Sequence, residues 1–545
     1  MDEFTAAERA KLAPYFTDLD GPVFALVNLP EVVKGALFAR YSRSPKSVRR
    51  LFLDEFLTGD KAAGAAAGPP VVGDDRAITN AGASRAEQLY ERVFFEYGDD
   101  SVAQLGGVHL ACEGASNVLT KVLEWGRLMA YLEQSTRYIP YDDRPGGTYR
   151  YHVPDELTAS LRARYVETLD RAFAIYAAWL PKLRDHYAAR YPRGADESEP
   201  AWRASVRAKA LDTLRGLLPA ATTSNVGIYG TGQAYEQLLL RMRAHPLAEV
   251  RACADRMLTE LRKVIPAFLR RVDLPDRGGV WSAYLAETRE ATAAVARRLT
   301  DPMRAAPAAS AVEVDEVTLT DFDPDGEVKV VAAALYATSA LPDAELLALA
   351  RRLSEQERRA VLAAYVGVRR NRRHRPGRAF ERTSYRFDVL SDYGAFRDLQ
   401  RHRLLSLEWQ RLSPRHGYVV PDAVREAGGG DDWVRVMSES AALHDAIEAS
   451  GLADVASYAV SMAYRVRFYM DMNAREAMHV IELRTTPQGH PSYRRVCQAM
   501  HRLIADRAGH RAIAAAMTFA DHSDVELERL EAERAAERRR ARAGA

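Results

Sequence analysis

Apolar residues recur along the chain mainly three and four positions apart, which is the spacing of helices that bury one face. In the first half this spacing predicts helices within 1–58 and at 84–95, 155–191, 202–217, 234–242, 247–268 and 277–301. Shorter apolar runs predict strands at 313–319 and 328–335. The pattern therefore predicts an α+β fold in which long helices pack around small mixed sheets.

Two pairs of segments carry residues in the same order in the two halves of the chain. In the clearer pair, an arginine is followed by His-Pro, a cysteine and a methionine, at 243–257 and again at 484–500. Ordered repeats of this kind favour duplication of one domain over two unrelated domains. We predict a first domain at 1–304, a second at 312–524 and a charged helical tail at 525–545, with a Gly/Ala/Pro-rich loop at 59–75.

Charge and composition narrow the possible functions. The 545 residues include 76 basic and 74 acidic side chains, a formal net charge of +2, which argues against a general nucleic-acid binder. The strongest basic run, from Arg369 to Arg378, has two possible interpretations. It forms either a solvated loop or a contact to phosphate or nucleic acid. Three widely spaced cysteines, no secretion signal and no apolar run of membrane-spanning length predict a cytoplasmic protein without a membrane partner.

Two stretches carry the candidate chemistry. Arg401, His402 and Arg403 form a basic triplet, and 125–138 (WGRLMAYLEQSTRY) reads as a second copy of the segment that contains it. Arginine offers planar, permanently charged donors that suit phosphate. A single basic triplet is more often solvated surface, so the pairing of the two stretches is what indicates a ligand site.

The triplet, the string EQSTRY at 133–138 and MNAREAMHVIELR at 472–484 together resemble the flavin-dependent thymidylate synthases. The resemblance implies two tandem thymidylate-synthase-complementing-type domains. It also implies a set of residues that bind flavin: Arg401, His402, Arg403, Asn473, Arg475 and His479. His479 departs from the family, which usually has a second asparagine at this position.

The resemblance implies a nucleotide-binding set as well. Its members are Glu133, Gln134, Ser135, Arg137, Arg215 and Arg484. Arg215 belongs to it because it lies three residues before Leu218-Pro219, as a nucleotide-binding arginine does in the family. Arg484 is the expected catalytic residue, since it would meet the uracil ring and stabilise negative charge on it. No metal site is predicted.

Each half keeps only part of the family pattern. The first half has Trp125-Gly126-Arg127 in place of the triplet, and the second half has Ser457 near the position of Arg215. The expected sites are therefore composite, built from unlike halves, and a homodimer would imitate the family's homotetramer. The implied reaction converts dUMP to dTMP, with FAD as cofactor and methylenetetrahydrofolate and NADPH as co-substrates.

Other interpretations stay open at the level of the sequence. The chain could be a diverged, non-catalytic homologue that binds a nucleotide or nucleic acid, or a flavin-free enzyme on the same scaffold. His402 could be a satisfied buried histidine, and the Glu133–Arg137 segment could only pin a turn. Arg475 and Arg484 could be partners in ion pairs.

Overall fold

A computed structural model describes residues 3–41, 44–57, 104–195, 198–305, 315–525 and 534. The predicted loop at 59–75, the predicted helix at 84–95 and nearly all of the predicted tail lie outside these residues. Within them the fold is α+β, as predicted, with long helices and two small sheets. Among the described residues, no helix is both long and apolar enough to span a membrane.

The helices of the first half match most of the predicted ones. They are α1 (Ala6–Leu12), α2 (Glu31–Tyr41), α3 (Val48–Leu51), α4 (Asn117–Leu123), α5 (Ala159–Arg190), α6 (Glu199–Leu214), α7 (Gly232–Arg243), α8 (Ala248–Leu261) and α9 (Val280–Ala305). Strands β1 (Gly107–Ser116), β2 (Met129–Glu133) and β3 (Thr223–Thr231) form a three-stranded sheet in the order β1-β3-β2.

The second half has shorter helices and the larger sheet. Its helices are α10 (Gly326–Tyr336), α11 (Asp343–Arg352), α12 (Glu355–Val366), α13 (Tyr393–Leu399), α14 (Asp422–Glu426), α15 (Gly430–Ala449), α16 (Ala474–Arg484), α17 (Pro491–Asp506) and α18 (Arg511–Ala516). The strands β4 (Val317–Phe322), β5 (Ser384–Asp392), β6 (Ser406–Trp409) and β7 (Arg465–Asn473) form an antiparallel sheet in the order β4-β5-β7-β6.

The prediction of a strand at 328–335 is wrong, because these residues form most of helix α10. The run VKVVAAAL is short and apolar, and such a run does not distinguish a buried strand from a buried helix. Val330, Val331 and Ala334 are all buried in this helix, at the three- and four-residue spacing of one helix face. Its three consecutive alanines also favour the helix.

Contacts divide the chain into two compact units. One comprises Met1–Cys112, Leu128–Leu132 and Val226–Pro307, and the other comprises Glu113–Arg127, Glu133–Asn225 and Ala308–Ala545. The second unit therefore combines a large part of the predicted first domain with the whole of the predicted second domain. All the predicted site residues lie in this second unit.

Two strands of the second unit run directly into helices that carry site residues. Strand β7 buries every second side chain, as expected for a strand covered on one face. It ends at Asn473, whose side chain accepts a hydrogen bond from the Glu476 N–H at 2.9 Å and so caps α16. Strand β5 ends in the same way at Asp392, which accepts from the Ala395 N–H at 2.9 Å and caps α13. The two caps fix where α13 and α16 begin.

Equivalent loops from the two halves pair inside the second unit. The Ala220 N–H donates to the Val460 carbonyl at 2.8 Å, and the Met462 N–H donates to the Leu218 carbonyl at 2.9 Å. These bonds hold the Leu218-Pro219 segment, and with it Arg215, against the second half of the chain. A residue that is far away in sequence thereby reaches the surroundings of the triplet.

Candidate active site

Three of the predicted arginines, from both halves of the chain, converge on one carboxylate, Asp398, near the end of α13. Its oxygens lie 3.7 Å from Arg215 Nη1, 3.9 Å from Arg401 Nη1 and 3.8 Å from Arg484 Nη1. Burial disfavours the charged form, but the positive charges of Arg401, Arg484, Arg215 and Arg137 outweigh it and hold the pKa of Asp398 below its usual value. Asp398 is therefore ionised at neutral pH.

Glu133 is a second carboxylate that pairs with three cations of the site. Its fully buried carboxylate accepts a hydrogen bond from Arg397 Nη2 at 2.9 Å and a short one from Arg401 Nη2, and Lys121 Nζ lies 3.4 Å away. Burial opposes ionisation, but the charges of Arg397, Lys121 and Arg401 together keep the pKa of Glu133 well below its usual value. The same lysine is also 2.5 Å from the buried Glu124.

Arg137 and Arg215 meet at a third carboxylate, Asp212. Arg137 Nε donates to both oxygens of Asp212, at 2.8 and 2.7 Å, while Arg215 Nη1 lies 3.9 Å from it. Arg137 also donates to the Tyr493 hydroxyl and to the Gln488 carbonyl, each at 3.3 Å. The guanidinium of Arg137 is thus held in one orientation at the first-half end of the site.

These ion pairs, none longer than 4.0 Å, join into one continuous network. It contains six cations and four carboxylates: Lys121, Arg137, Arg215, Arg397, Arg401 and Arg484 with Glu124, Glu133, Asp212 and Asp398. Arg401 is 33% exposed and every other member is 15% exposed or less. Within the described chain the network therefore holds an excess of two positive charges, which is costly to bury unless an anion neutralises it.

His402, one of the residues predicted to bind flavin, lies next to the network. Its Nε2 accepts a hydrogen bond from Arg484 Nε at 2.9 Å, and its Nδ1 is 3.6 Å from Glu476 Oε1. Burial lowers the pKa of His402 well below its ordinary value, and the charge of Arg484 lowers it further. His402 is therefore a neutral imidazole that orients Arg484.

His479 faces His402, with ring centroids 5.3 Å apart, and its Nδ1 accepts from Arg375 Nη2 at 2.8 Å. Burial and the charge of Arg375 lower its pKa to about 4, so this ring is also neutral. The ligand atoms of His402, Glu476 and His479 lie within 4.8 Å of one another, close enough for a metal ion. However, a neutral imidazole has one lone pair, and in both rings an arginine N–H uses it. This cluster is therefore unsuited to bind a metal.

The remaining predicted residues each make contacts outside the network, except Ser135, which contacts Arg137. Arg475 Nε donates to the Pro376 carbonyl at 2.9 Å, and its Nη1 is 3.4 Å from Glu381. The Ser135 hydroxyl accepts from the Arg137 N–H at 3.2 Å, and the Gln134 N–H donates to the Asn225 carbonyl at 2.8 Å. Asn473 caps α16, and Arg403 is exposed.

The basic run at 369–378 divides into anchoring and exposed arginines. Arg369 forms a buried double ion pair with Glu482 of α16, at 2.5 and 2.6 Å, and Arg375 contacts His479. These contacts fasten the loop to the helix that carries the predicted flavin residues. Arg372 and Arg373 have no carboxylate within 4 Å among the described residues. Part of the run is therefore structural, and contact of the rest with phosphate or nucleic acid stays a prediction.

Of the acidic members of the site, the sequence singled out Glu133 but not Glu124, Asp212 or Asp398. Asp398 and Asp212 gave no signal by themselves, because acidic residues on helices are usually solvated. One signal was available for Asp398, which lies three residues before Arg401 at the end of a helix whose other residues are largely apolar. A signal was also available for Glu476, whose carboxylate lies 3.6 Å from His402: it stands in the sequence between Arg475 and His479, two residues predicted to bind flavin.

Replacing Glu476 with glutamine is expected to stabilise the protein by about 2–3 kcal/mol more at pH 8 than at pH 5. Burial raises the pKa of Glu476 to about 7. Between about pH 4 and pH 7 the folded state thus keeps a proton that the unfolded chain releases. This carboxyl therefore makes the free energy of unfolding decrease as the pH rises through that range. Urea unfolding at both pH values measures the difference. The matched control is Glu439→Gln, in an exposed pair with Arg171. An equal effect of Glu476→Gln at both pH values would contradict the prediction.

Comparison with known proteins shows which family and which relatives the chain is similar to. The family model for thymidylate synthase complementing protein matches residues 58–267 and 318–508. A UPF0159 protein of Chlamydia muridarum is 36% identical over 97% of this chain and 98% of its own length. A UPF0159 protein of Thermoplasma acidophilum is 30% identical over 92% of this chain and 97% of its own.

Matches to shorter proteins cover about a third of the chain. A flavin-dependent thymidylate synthase of Mycobacterium sp. (strain JLS) is 30% identical over 33% of this chain and 67% of its own length. A crystal structure of a UMP/dUMP methylase from Streptomyces cacaoi, 23% identical, covers 36% of this chain and 94% of its own, with a TM-score of 0.29. The family model matches once in each half, which confirms the predicted resemblance and duplication: the chain belongs to the thymidylate synthase complementing protein family, as a tandem-duplicated member.

Proposed function

We propose that the protein converts dUMP to dTMP in a composite site to which both halves of the chain contribute. The observation that carries this proposal is the buried network with its excess of two positive charges. A phosphate monoester carries about 1.5 to 2 negative charges near neutral pH, which matches that excess. Arg137 and Arg215 come from the first half, and Arg401 and Arg484 come from the second.

The two ends of the network suit the two ends of a uracil nucleotide. Arg137 and the neighbouring Ser135 offer a guanidinium and a hydroxyl for the phosphate, together with Gln134 and Arg215. Arg484 is oriented by His402 and would donate to a uracil carbonyl, so that negative charge on the ring is stabilised as it develops. Glu133 acts through its arginines, because its own carboxylate is fully buried by them.

The flavin-side residues fit a bound FAD. Two neutral imidazoles, His402 and His479, lie beside the loop that carries Arg372 and Arg375, and Arg375 donates to His479 at 2.8 Å. Among the described residues, neither of these arginines has a carboxylate within 4 Å. Such cationic groups suit the diphosphate of the cofactor. Arg401, Arg403, Asn473 and Arg475 complete the proposed set. When bound, the flavin supplies hydride chemistry, with NADPH as reductant and methylenetetrahydrofolate as carbon donor.

Binding without turnover is the second candidate function. It is favoured by one observation on the predicted flavin side: His479 stands where the family usually has an asparagine, and its Nδ1 already accepts a hydrogen bond from Arg375. In either case we propose that two chains associate as a homodimer, which would imitate the four domains of a homotetramer.

Comparison of dUMP with deoxyuridine tests the proposed role of the network. We expect dUMP to bind at least about 100-fold more tightly, since the phosphate gains charge-assisted hydrogen bonds that the nucleoside lacks. Isothermal titration calorimetry of the full chain measures both affinities. The control variant Arg411→Met removes an exposed arginine that pairs with Asp454, and it should leave both affinities unchanged. Equal binding of the two compounds, or no binding of dUMP, would overturn the proposal.

A further inference from the structure

Asp398 differs from the other carboxylates of the network in its bonding. Glu133, Asp212 and Glu124 each accept at least one hydrogen bond of 2.9 Å or less from a cation of the network. Asp398 is surrounded by guanidinium groups at 3.7 to 3.9 Å, which is beyond hydrogen-bond distance. Within the described chain its side chain accepts no hydrogen bond. The oxygens of an ionised carboxylate in a largely buried site normally accept hydrogen bonds. Because those of Asp398 accept none from the described residues, they are available to a donor on a ligand.

The neighbour of Asp398 decides which ligand group fits. Arg484 Nη1, a donor, lies 3.8 Å from Asp398 Oδ1, an acceptor, and the two are not bonded to each other. A donor and an acceptor placed side by side complement an amide edge, in which a carbonyl oxygen adjoins an N–H. In a uracil ring this edge is formed by N3–H and a neighbouring carbonyl.

We propose that Asp398 is a specificity-determining residue that accepts a hydrogen bond from N3–H of the uracil base while Arg484 donates to the adjacent carbonyl. This inference rests on the proposed function, since it assigns the recognition of the base within the same site. The phosphate is left to the other end of the network, where Arg137 is fixed by Asp212. Asp398 thereby separates a base-reading end of the site from a phosphate-binding end.

An alternative role for Asp398 makes different predictions. If the carboxylate only offset the charge of the arginines, its removal would change the binding of every uracil nucleotide by the same factor. If it reads N3–H, a methyl group on N3 removes the hydrogen bond and collides with the carboxylate. Sites built to hydrogen-bond a polar group reject analogues that lack it by large factors.

The test compares dUMP with its 3-methyl derivative by calorimetry, on the full-length wild type and on Asp398→Asn and Asp398→Ala. We expect the wild type to prefer dUMP by at least about 100-fold. Asp398→Asn keeps an acceptor oxygen and should retain most of this preference. Asp398→Ala should bring the preference below about fivefold and should bind the methylated nucleotide at least about tenfold more tightly than the wild type does. The control Asp454→Asn, in an exposed pair, should behave as the wild type.

The outcomes separate this inference from the function on which it rests. If the wild type binds dUMP and 3-methyl-dUMP equally well, Asp398 does not read N3–H, and this result needs no variant to fold. An unchanged preference in Asp398→Ala overturns the inference as well, while the proposed function stands. If the wild type binds neither nucleotide, the proposed function fails and this inference fails with it.

Discussion

Replacing Glu133 with alanine is expected to lower the free energy of unfolding by about 3–5 kcal/mol. The substitution removes a fully buried carboxylate and leaves Arg397, Arg401 and Lys121 without the charge that they share. Breaking a buried pair by removing one partner is costly, because the remaining charge stays in a medium that solvates it poorly. Arg397 should contribute most, since its side chain is 4% exposed and cannot turn to water.

Urea denaturation of the full chain measures this loss. The matched control is Glu439→Ala, which breaks the pair with Arg171 at 2.9 Å on an exposed surface, and it should cost less than about 1 kcal/mol. A Glu133→Ala variant as stable as this control would show that the network does not hold the arginines in place. It would also remove the structural basis for a composite site.

The sequence singled out four of the six cations of the network and gave no sign of Lys121 or Arg397. Arg137 and Arg215 come from the first half of the chain and Arg401 and Arg484 from the second, and the structure brings all four around Asp398. Their guanidinium chemistry and their place in ordered motifs are properties of the sequence itself. The sequence predicts this convergence because the first half lacks the Arg-His-Arg triplet, while the second half lacks a counterpart of Arg215.

The carboxylates could not be predicted in the same way. Asp212 lies at the end of a long helix, and only the pairing of the 216–221 loop with 458–463 brings it into the site. Glu133 was predicted to bind substrate, but its partners are arginines of its own chain, one of them 268 residues away. The sequence gives the residue type, whereas burial and the choice of partner depend on the folded chain.

The secondary structure was predictable where the apolar pattern was long. The helix predicted at 155–191 corresponds to α5 (Ala159–Arg190). This helix is long enough for the three- and four-residue spacing of its apolar side chains to repeat many times. The strand predicted at 328–335 was wrong because eight residues are too few to separate the two periods when nearly all of them are apolar. The three consecutive alanines favour the helix.

Replacing Arg484 with methionine is expected to lower the rate of dTMP formation by about 10²–10³-fold, the usual cost of losing one preorganised donor to a developing anion. Three groups set the orientation of this guanidinium. His402 Nε2 accepts from its Nε at 2.9 Å, Asp398 lies 3.8 Å from its Nη1, and the Tyr493 ring centroid is 5.4 Å away. Methionine keeps much of the side-chain volume but has no donor, so the loss should fall on turnover rather than on folding.

The content of bound flavin separates the role of Arg484 from general damage to the site. We expect the Arg484→Met variant to retain FAD to within about threefold of the wild type, because its proposed contact is with the uracil. The control Arg411→Met replaces an exposed arginine of the same unit, and this variant should match the wild type in both turnover and flavin content. Equal loss of FAD and of turnover in Arg484→Met would contradict the role assigned to this residue.

The most direct measurement is dTMP formation by the purified wild-type chain, supplied with FAD, dUMP, methylenetetrahydrofolate and NADPH. If the two halves form a working composite site, the wild type produces dTMP with the flavin absorbance of a loaded enzyme, and Arg484→Met produces about 10²–10³-fold less. A wild-type chain that folds and binds dUMP but forms no dTMP would contradict the account of a catalytic site and leave only nucleotide binding.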